Sequence, residues 1–139
     1  MRYLGLDLGT RTLGISISDT TKTIASALKT IRFNDSEYDS ILPELKSIIE
    51  EYEISKIVLG LPKNMNNTMG ERCETTINFQ KKLIDTFNIE VVLQDERLTT
   101  VQATNYMLEA DISRKKRKKK VDSIAAQLIL QSYLDRKED

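Results

Sequence analysis

An α/β fold with a five-stranded mixed sheet and helices on both faces is predicted by a change of period along this 139-residue chain. Alternating apolar residues indicate three successive strands at 3–8, 12–18 and 24–33. Their short connections require an antiparallel meander, because parallel pairing needs a long crossover. Helical patterns then alternate with two short apolar strands, which is typical of parallel strands, and right-handed crossovers should distribute the helices over both faces.

The first helical pattern runs from Ile41 to Tyr52, and residues 34–36 before it supply N-cap candidates. Pro43 is tolerated only near the start of this helix or at a kink. The other predicted elements are strands at 56–60 and 90–94 and helices at about 71–87, 99–109 and 121–134. The inner side of the helix at 71–87 is predicted to consist of Cys73, Ile77, Leu83, Ile84 and Phe87.

The composition excludes several chemistries. The chain has no histidine, so Ser-His-Asp and Cys-His nucleophiles and imidazole metal sites are ruled out. The single cysteine, Cys73, excludes an internal disulfide and a cysteine zinc site. Any bound metal must therefore have oxygen ligands, which favours Mg²⁺ or Mn²⁺.

Length and hydropathy indicate one domain over residues 1–139, large enough for a core. No apolar run is long enough to span a membrane, and no signal peptide precedes the first strand. We therefore expect a cytoplasmic protein that has no membrane partner.

The chain contains a concentrated basic segment, although its net charge is zero. Residues 114–120 hold seven of the 21 basic residues, which leaves 14 basic against 21 acidic residues elsewhere. Such runs are usually solvated or act as targeting signals, but this one ends two residues before Asp122, a candidate site residue. Its members could bind phosphates without reading sequence: Arg114, Lys115, Lys116, Arg117, Lys118, Lys119 and Lys120. Three further loop residues at the same edge could join them: Arg11, Lys63 and Arg97.

Three carboxylates form the candidate active site. Asp7 lies on a strand whose other face is apolar, and buried charges are usually paired or metal-bound. Glu96 follows the last strand, and the carboxyl ends of parallel strands meet at one edge of such sheets. Asp122 begins a nearly all-apolar helix, and small residues indicate that this helix approaches the first strands closely: Gly5, Gly14, Ser16, Ala125 and Ala126.

Three convergent carboxylates repel one another unless cations neutralise them. Two Mg²⁺ ions about 4 Å apart would do so and would position a phosphodiester for in-line attack by water. Each residue also has a simpler interpretation. Asp7 could belong to a phosphate-binding turn of the kind found in sugar kinases and actin-like ATPases. Glu96 could form a salt bridge with its neighbour Arg97, in which case Asp95 could be the ligand instead. Asp122 could simply be an acid that the helix dipole favours in the first turn.

Four stretches together resemble the motifs of the YqgF family. They are Asp7-Leu-Gly-Thr-Arg11-Thr-Leu-Gly14-Ile-Ser-Ile-Ser18-Asp19, Gly60-Leu-Pro-Lys-Asn64-Met, Asp95-Glu96-Arg97-Leu-Thr-Thr100 and Val121-Asp122-Ser-Ile-Ala-Ala126. They occur in the family's order over almost the whole chain. The loop after Met65 departs from the family's Asp-Gly-Thr and reads Asn66-Asn67-Thr68.

The resemblance implies an RNase H-like nuclease related to Holliday junction resolvases, with Asp7, Glu96 and Asp122 as catalytic metal ligands. The expected substrate is a pre-16S ribosomal RNA precursor, processed at its 5′ end by a two-metal-ion mechanism. The alternatives are a Holliday junction resolvase acting on four-way DNA and a non-catalytic RNA-binding ribosome-assembly factor. The resemblance allows ribosome association, and monomer and homodimer both stay open.

Overall fold

The computed structural model describes residues 1–9, 11–34, 37–61, 71–95 and 114–136. Side chains are described over the same ranges except at 71–73, 95, 114–122 and 136, where only the backbone is considered. Glu96, Lys63, Arg97 and the helix predicted at about 99–109 lie outside these ranges.

The sheet has the predicted mixed topology. Its strands are β1 (Arg2–Leu8), β2 (Thr12–Ser18), β3 (Ala25–Arg32), β4 (Ile54–Leu61) and β5 (Glu90–Asp95), in the spatial order β3-β2-β1-β4-β5. The first three strands pair antiparallel, whereas β4 runs parallel to both β1 and β5. The carboxyl ends of β1, β4 and β5 therefore meet at one edge, as expected.

The starts of two helices differ from those predicted from the sequence. A 3₁₀ helix (Tyr38–Ile41) leads into α1 (Leu42–Glu51), and α2 (Glu71–Phe87) and α3 (Arg114–Arg136) follow. Pro43 lies in the first turn of α1, as predicted. The N-cap prediction for residues 34–36 was wrong, because Ile41 occupies the N-cap position without a side-chain cap. Burial of Ile41 and the preceding 3₁₀ turn, rather than a polar cap, accompany the helix start.

α3 begins at Arg114, seven residues before the predicted start at Val121. The prediction followed apolar periodicity, which starts only after the basic segment. Lysine and arginine are good helix formers, so a run of them can extend a helix without any apolar signal. The basic segment therefore forms the first two turns of α3 rather than a separate loop.

The inner face of α2 was predicted correctly only in part. Thr76, Phe79 and Leu83 are buried, whereas Ile84 is 39% exposed, so its assignment to the inner side was wrong. Successive residues of a helix are about 100° apart around its axis. When Leu83 points into the core, Ile84 therefore lies at the edge of the contact between α2 and the sheet. Ile77 and Phe87 are half-buried at the flanks of this face.

The two faces of the sheet carry separate cores, as expected of helices on both sides. Leu4, Leu6 and Leu8 of β1 belong to the core that includes α1 and α2 residues. Tyr3 on the other face packs in a second core whose other members are Ala25, Val58, Ile129, Leu130 and Leu134. Within the described ranges, none of the helices combines the length and the apolar character that a membrane crossing requires.

Gly5 is the point where α3 comes closest to β1. A Cβ atom at Gly5 would lie 2.7 Å from Leu130 Cβ and 3.0 Å from the Ala126 carbonyl oxygen, and it would also collide with Ser16 Oγ. Ala125 and Ala126 are fully buried in the same contact. The close approach predicted from these small residues is confirmed.

Gly5→Ala should lower the free energy of unfolding by about 2 kcal/mol, because the methyl group forces α3 away from the sheet. Replacing glycine by alanine lowers the conformational entropy of the unfolded chain, which by itself would stabilise the folded protein. A net decrease in the free energy of unfolding must therefore come from the contact between α3 and β1. Urea unfolding midpoints measure the effect. Ser26→Ala, an exposed change on β3, is the control, and equal midpoints for the two variants would contradict the packing argument.

Candidate active site

Asp7 lies between two glycines near the carboxyl end of β1. It pairs with Gly14 of β2, and since Leu6 pairs with Leu59, Gly60 follows on the β4 side. The Asp7 side chain is half-buried and belongs to the sheet face that α3 covers. Neither of these neighbouring positions contributes a side chain next to Asp7. Sequence analysis identified Gly14 but missed Gly60, whose signal was a glycine at the end of an otherwise apolar strand.

The register of β5 shows in which rows of the sheet its last two residues lie. Gln94 pairs with Gly60 and is buried, so it shares the cross-strand row of Asp7. Asp95 pairs with Leu61, which lies two residues beyond Leu59 of the α1 and α2 core. The backbone position of Asp95 therefore belongs to the opposite face of the sheet from Asp7. Sequence analysis gave no role to Gln94, although a lone polar residue in an apolar strand was its signal.

α3 runs antiparallel to β1, which brings the backbone position of Asp122 to the end of the sheet that holds Asp7. The rings of Tyr133 and Tyr3 lie 6.2 Å apart at one end, and Ala126 packs on Gly5 further along. Asp122 precedes Ala126 by one turn on the same helix face, or about 6 Å. Asp7 follows Gly5 by two strand residues, or about 6.6 Å. The two acids are thus at matching heights along the helix and the strand.

Polar contacts tie α3 to the antiparallel strands. The buried Ser16 hydroxyl donates to the Ala126 carbonyl oxygen at 2.8 Å. Gln131 accepts from the Ala25 amide through Oε1 at 2.8 Å and donates to the Thr23 carbonyl oxygen at 3.0 Å. Gln127 donates to the Ala25 carbonyl oxygen at 3.1 Å. These contacts lie within two turns of α3, directly after the turn that holds Asp122.

A lysine and two tyrosines anchor the other end of α3. Lys56 Nζ lies 3.0 Å from the Tyr133 hydroxyl oxygen and 5.1 Å from the centre of the Tyr3 ring. Glu90 adds an ion pair at 3.8 Å. The Tyr133 hydroxyl raises the pKa of Lys56 above its ordinary value, although partial burial acts in the opposite direction. The cluster lies at the amino end of β1, far from Asp7, and is therefore a structural anchor.

The donor chemistry fits a magnesium or manganese ion. The three predicted ligands are all carboxylates, and hard divalent cations prefer oxygen ligands. Gly14 and Gly60 place no side chain at the strand positions next to Asp7. Within the described part of the chain, no group of three or more potential metal ligands is assembled, but Glu96 and the side chain of Asp122 are not included there.

The predicted basic residues occupy the same edge where the structure describes them. Residues 114–120 form the helical turns immediately before Asp122. Arg11 is exposed in the turn between β1 and β2, where its carbonyl oxygen accepts from the Phe33 amide at 2.9 Å. Lys63 and Arg97 lie outside the described residues.

Solved structures with similar folds include junction resolvases. Thermus thermophilus RuvC in complex with a Holliday junction substrate aligns over 99% of this chain and 98% of its own, with a TM-score of 0.61 and 12% identity. The fowlpox virus resolvase bound to Holliday junction DNA aligns over 97% of both chains, with a TM-score of 0.61 and 14% identity. At these identities the similarity concerns the fold, which is RNase H-like as predicted.

Sequence relatives cover nearly the whole chain. A protein of Bacillus subtilis named "Putative pre-16S rRNA nuclease" is 53% identical over 135 residues, which is 97% of this chain and 98% of the relative. A Clostridium botulinum protein of the same name is also 53% identical over 135 residues, with 97% of each chain covered. A family model described as "RuvX: Holliday junction resolvase" matches residues 1–136. The chain therefore belongs to the RuvX family, which is the YqgF family that its motifs predicted.

Proposed function

We propose that this protein is a metal-dependent endonuclease that hydrolyses phosphodiester bonds at the 5′ end of pre-16S ribosomal RNA in the cytoplasm. Family membership and the names of the relatives support a nuclease. The single observation that carries the proposal is Asp7 between Gly14 and Gly60, on the face covered by α3. A carboxylate near the carboxyl end of a central strand, with a glycine at the neighbouring position on each side, is suited to binding cations and phosphate oxygens.

The proposed ligands of Mg²⁺ or Mn²⁺ are Asp7, Glu96 and Asp122. Bound metal would supply Lewis-acid activation of the phosphodiester and of the attacking water. Asp7 would be the central ligand, because it lies on the middle strand of the sheet. The matching heights of Asp7 and Asp122 along β1 and α3 support their cooperation in one site.

Glu96 is a better candidate than Asp95 for the third ligand. The motifs assign Glu96 as the ligand, and in β5 it is Gln94 rather than Asp95 that lies in the row of Asp7. Asp95 pairs with Leu61 and belongs to the opposite face. The register of β5 thus supports the assignment made from the motifs.

The proposed nucleic-acid clamp is the basic segment at residues 114–120, joined by Arg11, Lys63 and Arg97. In α3 this segment directly precedes Asp122, so phosphates bound to it would lie beside the proposed catalytic centre. Contacts to phosphates give salt-dependent affinity without base readout. Selection of the cleavage site would then depend on RNA shape.

Asp7→Asn should reduce magnesium-dependent cleavage of precursor RNA by at least about a hundredfold, because the neutral amide is a poor ligand for a hard cation. Initial rates of cleavage with and without Mg²⁺ measure this. Asp39→Asn, an exposed change on the other face of the sheet, should retain the wild-type rate. Equal rates for the wild type and Asp7→Asn would contradict the assignment.

The same experiment tests the non-catalytic alternative. An RNA-binding assembly factor would bind precursor RNA with equal affinity as wild type and as Asp7→Asn, and neither protein would cleave it. A loss of cleavage in Asp7→Asn with unchanged RNA affinity would instead support the nuclease.

Replacing Lys118 and Lys119 by glutamine should weaken RNA binding and make the RNA affinity less dependent on salt concentration. Loss of two phosphate contacts lowers the slope of log affinity against log salt by about 1.4 on a single strand and 1.8 on a duplex. The control removes two exposed lysines from α1 and α2, Lys46→Gln with Lys81→Gln, at the same change in net charge. If both double variants change the slope of log affinity against log salt equally, the assignment of residues 114–120 as the nucleic-acid clamp is wrong.

Four-way DNA is the second candidate substrate, favoured by the family description and by the fold shared with RuvC. We expect faster cleavage of a precursor RNA than of a four-way junction when the same preparation is assayed on both. A resolvase must cut two strands symmetrically, so preferential junction cleavage by a dimer would favour the alternative. The oligomeric state measured by light scattering completes this comparison.

A further inference from the structure

The apolar face of α3 cannot by itself determine where the helix lies along β1. Apolar burial is non-directional, and small apolar side chains on successive turns can pack in neighbouring positions. Among the described side chains of α3, at 123–135, the buried apolar ones are Ile124, Ala125, Ala126, Ile129, Leu130 and Leu134. A specific register therefore needs directional contacts.

Ser16 provides one directional contact close to the proposed site. Its side chain is fully buried, and its hydroxyl donates across the interface to the Ala126 carbonyl oxygen at 2.8 Å. Ser16 pairs with Gly5, whose missing side chain leaves room for this bond. The bond joins β2 to the turn of α3 directly after Asp122.

Gln131 provides a second directional contact, at the border of the sheet. Its single amide group accepts from the Ala25 amide at 2.8 Å and donates to the Thr23 carbonyl oxygen at 3.0 Å. Both partners are backbone groups, so a shift of the helix would break both bonds together. Ser16 and Gln131 thus connect α3 to two different strands, β2 and β3.

The register matters because a shift of α3 by one residue moves Asp122 about 1.5 Å along its axis. Metal–oxygen bonds of magnesium are held near about 2.0–2.1 Å, so such a shift would separate Asp122 from an ion bound at Asp7. Misplacement of a reacting group by about 1 Å can reduce a rate about a hundredfold.

We propose that Ser16 and Gln131 are positioning residues of the nuclease site, which hold α3 in the register that brings Asp122 to the metal bound at Asp7. The inference rests on the proposed function. Neither residue touches substrate or metal, and both act through the placement of α3.

The test is the affinity of the full-length protein for Mn²⁺ alone, measured by titration calorimetry without nucleic acid. Ser16→Ala should weaken Mn²⁺ binding about tenfold, as losses of groups that orient a metal ligand do. Ser18→Ala is the matched control. Ser18 is buried on the same face of β2, and its hydroxyl accepts from the Tyr3 amide at 2.8 Å and donates to the Asp19 carbonyl oxygen at 3.0 Å, both outside α3.

Gln131→Leu is the second variant, which keeps the size of the side chain and removes both bonds. Its control is Gln80→Leu, because Gln80 of α2 donates to the Val91 carbonyl oxygen at 2.7 Å and ties the other helix to the sheet. Urea midpoints should fall similarly within each pair, whereas Mn²⁺ affinity and kcat should fall only for Ser16→Ala and Gln131→Leu. The KM for precursor RNA should stay unchanged in all four variants.

The outcomes separate the two proposals. If the wild type and Asp7→Asn bind Mn²⁺ equally, or neither binds, the proposed metal site is wrong and the positioning role falls with it. If Asp7→Asn loses Mn²⁺ while Ser16→Ala and Gln131→Leu match their controls, the nuclease stands and the positioning role is overturned.

Discussion

The close contact between α3 and β1 at Gly5 is the constraint on which the rest of the structure depends. Leu130 and Ala126 occupy the space that a side chain at position 5 would need. That approach brings the helix that carries Asp122 onto the strand that carries Asp7. The small residues of the interface are therefore a geometric requirement rather than weak points in the strands and the helix.

The two ends of β1 have different tasks. At its amino end, Lys56, Tyr3 and Tyr133 form an anchor with mixed aromatic and ionic contacts, which suits stability. At its carboxyl end, Asp7 is flanked by glycines and approached by a helix that begins with seven basic residues. Ligand sites in α/β sheets lie at the carboxyl ends of the strands, and this division follows that rule.

Local sequence patterns predicted most of the fold. They did not predict features that depend on contacts between residues far apart in the sequence. Alternation located the strands because β1 and β2 bury one face in each core. The start of α3 was missed because charged residues can continue a helix without apolar periodicity, and Ile84 was misplaced because composition does not specify helix rotation. Asp7 could be singled out from sequence, whereas the row of the sheet in which Asp95 lies became known only from the pairing of β5 with β4. The hydrogen bonds of Ser16 and Gln131 span more than 100 residues, beyond the reach of any local pattern.

Gln127 and Gln131 have a further consequence for the border of the sheet. β3 is an edge strand, and exposed backbone groups of edge strands are sites where other chains can add and aggregate. The two glutamines, one turn apart, bind both the amide and the carbonyl oxygen of Ala25. Their side chains occupy the hydrogen-bonding positions of a neighbouring strand, so a strand from a second molecule cannot pair with β3 at Ala25.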